Sequence, residues 1–408
     1  MIANPTDHDP AYGWVMVAAV FVLSTLSFGA LGAISVFLKP LAAEFGWSRG
    51  ETSLGYTTIA FSSALFGIFW GWLADRAGTR WFGTVAAFVM PISLVLLSQQ
   101  TSIIEFYCYY FLFGAFGSAV VGAPLFANVG FWFTHNPGLA LGVTAAGGAF
   151  GQGVVPYFSG MLIESGGWRS AYLTLAVVYF LIALPTALLI RESPTRLRAQ
   201  TDTMSDDRDR PISDIEVIVW ICCAIIFCCI CMALPIVHLV PLLTDTGTTT
   251  QFATSVLLVL MMAGVAGRIM GGKLGDMIGP IPAYMLMSLG QTVFVFWFPP
   301  LRDGTVSLYL LAIFFGFTYS GVMSCILVCT RKMVSARLGG RAMSITSFFG
   351  WGGMGLGGFL GGYVFDVTGD YGWSFALASA AGVINLIILI LFWLRIGRAR
   401  AEVVPALA

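Results

Sequence analysis

Arg268 stands inside an apolar stretch, VLLVLMMAGVAGRIMGG, that carries no other charge. It lies eight residues before Asp276, which closes the stretch, so along a helix it sits ~12 Å inside the end. A cation at that depth costs about 3 kcal/mol or more unless it meets water or a partner. No Asp or Glu falls in the middle of any apolar stretch; Asp245, Asp276, Glu105 and Glu216 stand at ends. The guanidinium therefore has no counter-ion visible in the sequence, and its planar fork suits a carboxylate. The alternative is an arginine that snorkels or bonds helix-end carbonyls. One deep cation favours a monoanion, because a dianion calls for a second.

Other polar side chains share these depths. Tyr319 in GFTYSG could orient a carboxylate beside Arg268, or bond a neighbouring helix. Ser320 is a weaker candidate, and Asn128 and Gln152 are buried amides from the first half of the chain. Such amides more often join helices than bind a solute. His238 lies seven residues before Asp245 and is a candidate proton carrier. Its alternative role is a bond to a nearby carbonyl, and its depth differs from that of Arg268 by ~10 Å.

The elements that carry these residues follow from composition. Of 408 residues, 58% are hydrophobic and only 10% charged, against ~25% charged in soluble proteins. A mean hydropathy of +0.87 excludes disorder and a soluble fold, and predicts an all-α membrane protein. Twelve charge-poor stretches are each long enough to span: 14–38, 52–74, 81–104, 106–134, 136–163, 170–190, 217–244, 246–267, 277–301, 304–330, 342–365 and 371–394. With both termini cytoplasmic, Lys39, Arg49, Arg169 and Arg302 fall outside and Arg268 within the membrane. The other fifteen of the twenty Lys and Arg fall inside. The eight cysteines crowd apolar stretches without ligand spacing, which predicts neither disulfides nor a metal site. The balance of 20 basic and 20 acidic residues gives no field for nucleic acid.

The chain repeats itself. GWLADRAG (Gly71 to Gly78) is matched by GKLGDMIG (Gly272 to Gly279), FLFGAFG with Gly114 by IFFGFTY with Gly316, and GLALG at Gly138 by GRAMS at Gly340. The offset stays near 202 residues. The domains expected are a six-helix bundle over 1–190, a polar cytoplasmic linker over 191–216 and a second bundle over 217–408. Such pseudo-symmetric bundles with a site at their interface form a transporter architecture. Gly78 and Gly279 would permit tight turns. Asp75, Arg76 and Asp276 are candidate gating residues near the cytoplasmic helix starts, or else simply fix the turn. The runs Gly267/Gly271/Gly275 and Gly353/Gly357/Gly361 predict close helix packing.

The loop GWLADRAG and its degenerate copy resemble the signature of the major facilitator superfamily, whose fold has twelve transmembrane helices. A narrower resemblance, of bacterial type, is to the monocarboxylate transporters. It rests on Gly13, Trp14 and Val36 to Lys39 at the ends of the first helix, and on FWFTHNPGLALGVTAAGGAFGQG, HLVPLLTDTG and AGRIMGGKLGD. That family's intramembrane arginine falls on Arg268. The sequence departs from it at Asn136 and Pro137, where a cation precedes Gly-Leu-Ala. It departs again at Gly32 and Gly264, where animal members carry a lysine and a proton-carrying aspartate.

The resemblance implies a plasma-membrane carrier, in a bacterial inner membrane, that moves a lactate- or pyruvate-like monocarboxylate by alternating access. A proton is a candidate co-substrate. No cofactor is expected, and a monomer suffices. The other functions expected are organic-anion exchange and efflux of aromatic or lipophilic compounds. An enzyme would need a nucleophile with a base or clustered ligands, and neither G-x-S-x-G nor H-E-x-x-H occurs.

Overall fold

The computed structural model describes residues 11–133, 137–193 and 212–403. These residues form helices and short connections, with no strand among them. The helices are α1 (Ala11–Phe45), α2 (Arg49–Ala77), α3 (Phe82–Ser98), α4 (Ile103–Leu112), α5 (Ala119–Val121), α6 (Ala123–Trp132) and α7 (Pro137–Leu188) in the first half of the chain. They are followed by α8 (Asp214–Asp245), α9 (Thr250–Met277), α10 (Pro280–Phe296), α11 (Thr305–Met333), α12 (Ala336–Thr368) and α13 (Tyr371–Val403). Eight helical stretches are long and apolar enough to cross a membrane, and α3 and α10 are shorter apolar helices.

Local chemistry sets the ends. Ser48 caps α2 in a reciprocal box with Glu51, and Ser102, Ser213 and Thr249 cap α4, α8 and α9. Gly78 and Gly279 take positive φ of 81° and 93°, so the two signature loops turn where the repeat predicts. At 52 residues, α7 would measure ~78 Å if straight. It is two helices that meet at Gly167, where φ is 77°. A π-helical segment, Phe113–Ser118, joins α4 to α5. Its widened turn exposes carbonyls, and α2 satisfies two of them: Ser63 donates to Gly114 and Trp70 Nε1 to Ala115.

The repeat is visible in the packing. Gly114 abuts Ile59 of α2, and 202 residues later Gly316 abuts Leu260 of α9, with no room at either for a Cβ. Gly151 lies on the backbone of Thr25 in α1, and Gly353 on that of Ile226 in α8. Backbone-to-backbone contact is how apolar helices gain dispersion energy where lipid offers no hydrophobic drive. All eight cysteines are free thiols, and no metal-ligand cluster occurs among the described residues.

Candidate functional site

Arg268 projects from α9 across the seam between the chain halves. Its Nη1 donates to the carbonyl of Ala145 in α7 at 2.7 Å, while its Nε is buried with no hydrogen-bond partner. A helical carbonyl accepts one bond from a guanidinium but brings no negative charge. Tyr319 of α11, 2% exposed and stacked on Phe315, lies within electrostatic reach of Arg268. Ser320, beside it, is fully buried against Gly264, and its hydroxyl has no partner. Gln152, two turns along α7 from Ala145, is also buried, with Oε1 unpartnered. Sequence reasoning missed Tyr56 of α2. Its fully buried hydroxyl has no hydrogen-bond partner. Its ring packs on Gly358 of α12, a tertiary contact that no local pattern announces. Orphaned donors and acceptors are rare in protein interiors. Arg268 Nε is one such donor, and Tyr56, Gln152 and Ser320 carry others on α2, α7 and α11.

The structure separates other candidates from this group. Asn128 sits near the end of α6, with Nδ2 donating to the Arg191 carbonyl and Oδ1 accepting from the Ser193 amide. Both ends of its amide are thus engaged in clamping the segment that leaves α7, which leaves neither free for a solute. His238 is fully buried at the other end of α8. Its Nε2 lies 2.7 Å from the Gly358 carbonyl, which can only accept, and its Nδ1 lies 3.3 Å from the Tyr371 hydroxyl.

That hydroxyl in turn accepts from Arg49 Nη1 at 3.0 Å. Arg49 grips both oxygens of Asp245, at 2.7 and 2.9 Å, and Lys39 reaches the same carboxylate at 2.8 Å. The backbone amides of Arg49 and Gly50, at the start of α2, donate to Asp366. This is the favourable meeting of a carboxylate and a helix N-terminus. The network joins α1 and α2 to α8, α12 and α13, beside a charged cavity of about 550 Å³ that includes Arg302, Asp303 and Asp370. Glycines extend the closure inward: Thr57 donates to Gly355, and Gly362 packs on the Arg49 backbone.

The opposite end, where Asp276 lies, differs. Asp276 pairs with Lys332 of its own chain half, and the Arg76 guanidinium covers the Trp72 ring at 4.2 Å. The Asp75 side chain, Asn136 and most of the 191–216 linker lie outside the described residues.

Two departures in the sequence have a steric basis. A Cβ at Gly32 would sit 3.0 Å from the Gln152 backbone, and one at Gly264 would strike Ser320. A side chain at Gly32 would press on the α7 backbone, and one at Gly264 would displace the Ser320 hydroxyl.

The profile of the Major Facilitator Superfamily matches residues 20–358. Monocarboxylate transporter 13 of Bos taurus is 27% identical over 389 residues, covering 91% of this chain and 87% of its own. The riboflavin transporter RibJ of Trypanosoma brucei brucei is 26% identical over 51% of this chain and 38% of its own. Among solved structures, a partially occluded inward open form of the xylose transporter XylE from E. coli superposes with a TM-score of 0.76 at 14% identity. It covers 94% of this chain and 98% of that one. The chain belongs to the major facilitator superfamily and is a membrane transporter rather than an enzyme.

Proposed function

We propose that this transporter moves a small organic monocarboxylate, held at Arg268, by alternating access between two bundles, 1–190 and 217–408, linked by 191–216. Reading the break at Gly167 as the turn between a fifth and a sixth span gives twelve spans. With both termini in the cytoplasm of a bacterial cell, the Arg49 end faces outward, so the conformation described is closed outside and open inside. The observation that carries the reading is Arg268 itself. One of its donors is held by a neutral carbonyl, another is buried without a partner, and the described residues place no carboxylate beside it. A carboxylate guest would satisfy that donor and the charge together. Similarity to monocarboxylate transporters over more than nine-tenths of the chain supports the choice of anion.

Organic-anion exchange is the second reading. Gly32 and Gly264 favour it, because neither position carries the lysine or aspartate of a proton route.

Uptake of labelled monocarboxylates into proteoliposomes, with and without a pH gradient and with internal anions, separates these modes. Arg268→Ala and Arg268→Lys are expected to lose most uptake, the lysine because it presents no planar fork. Wild-type rates in both variants would refute the assignment.

A further inference from the structure

We propose that the guest of Arg268 carries an aromatic ring, making the substrate an aryl-bearing monocarboxylate rather than a two- or three-carbon acid. The inference rests on the Arg268 reading and concerns the other end of the same solute. Phe28 of α1 and Trp351 of α12 face each other across the seam, with ring centroids 5.8 Å apart and planes 31° apart. Both lie midway along their helices, and both are only partly buried. The pair joins α1 of the first half to α12 of the second, so a solute moving along the seam at this depth would meet its uncovered surface.

Phe28 is also tied to the anchor. Its ring packs on Gly148, at 3.2 Å from where a Cβ would stand. Gly148 is one turn from Ala145, the carbonyl that holds Arg268, about 4.5 Å along α7. A carboxylate and a ring separated by about two carbons bridge that interval. A second pair, Phe61 of α2 and Phe348 of α12, crosses the seam at 6.3 Å. Tilted or offset ring packing is the geometry that aromatic groups prefer, and a third ring set against the uncovered part of the Phe28–Trp351 pair would adopt it. A short acid would satisfy the guanidinium and leave that part of the pair without a ring to pack on.

Thermal-shift titration of the purified full-length protein, backed by uptake in proteoliposomes, tests this. The probes are 3-phenylpropionate and phenylacetate against acetate, pyruvate and lactate, with 3-phenylpropanamide as the uncharged ring control. The aryl acids are expected to bind at least tenfold more tightly than the short acids. Trp351→Ala should erase that preference, while Trp351→Phe should keep most of it. Gel-filtration profiles and unliganded melting temperatures confirm that each variant is folded. Equal or better binding of pyruvate and lactate by the wild type overturns the aryl proposal and leaves Arg268 as the carboxylate anchor. Binding of the amide as tight as that of the acid overturns the anchor and leaves the ring site. Silence from every probe overturns both.

Discussion

At the Arg49 end, the seam between the chain halves is shut by charge and by glycine. From mid-helix towards the Asp276 end, five glycines of the same helices have open space beside them. Gly355, Gly358 and Gly362 of α12 lie on Thr57, Tyr56 and Arg49, and Gly153 and Gly160 of α7 lie on α9. By contrast, Gly67 and Gly71 of α2, Gly142 of α7, Gly272 of α9 and Gly352 of α12 have no atom within 4 Å of a Cβ. The charged groups follow the same division. Arg49, Lys39, Asp245 and Asp366 bind across the seam, whereas Asp276 binds within its own half. Helices of one composition therefore make a closed and an open end according to which small residues face a partner. A rigid pivot of one half on the other would exchange the two conditions. Arg268 lies between them, where such a pivot would pass a solute.

The largest break in this asymmetry is expected from Gly362→Val. A Cβ there would sit 2.6 Å from the Arg49 carbonyl oxygen, so the valine must push α2 and α12 apart. Labelling of a cysteine introduced by Thr57→Cys, with a hydrophilic maleimide added from the Arg49 side, should rise at least tenfold. Next comes His238→Ala, which removes the imidazole's bonds to the Gly358 carbonyl and the Tyr371 hydroxyl and leaves a space in the interior, at a cost of about 1–3 kcal/mol. The melting temperature of the purified protein should fall accordingly. Arg49→Gln keeps the fold but loses the paired bonds to a half-exposed Asp245, worth about 1 kcal/mol. The same labelling rate should rise about fivefold, and more at low salt than at high. Gly352→Ala, in open space, should change neither readout by more than about 0.5 kcal/mol.

The all-helical, membrane-crossing character and the close helix contacts were legible because lipid demands apolar length and because glycine spacing marks close approach. The constant offset between Gly114 and Gly316 anticipated equivalent contacts on α2 and α9. Arg268 was legible for a similar reason, since a charge in hydrocarbon contradicts its surroundings. The partners of polar groups were not legible. Asn128 was a buried amide with no partner named by the sequence, and it clamps a backbone that returns 63 residues later. His238 was expected to be a proton carrier or a carbonyl partner, and the carbonyl proved to be 120 residues away. Tyr56, Phe28 and Trp351 each look like ordinary apolar residues of a span. Only the crossing of helices from opposite halves brings them to the site.

Direct binding of a radiolabelled monocarboxylate to purified protein, wild type against Arg268→Gln, tests the central claim most closely, because glutamine keeps a donor for the Ala145 carbonyl while removing the charge. Saturable binding by the wild type, and a loss of at least tenfold in affinity for the variant, is the predicted result. Equal affinity in the two proteins would show that the guanidinium is a structural cation and that the carrier recognises something other than an anion there.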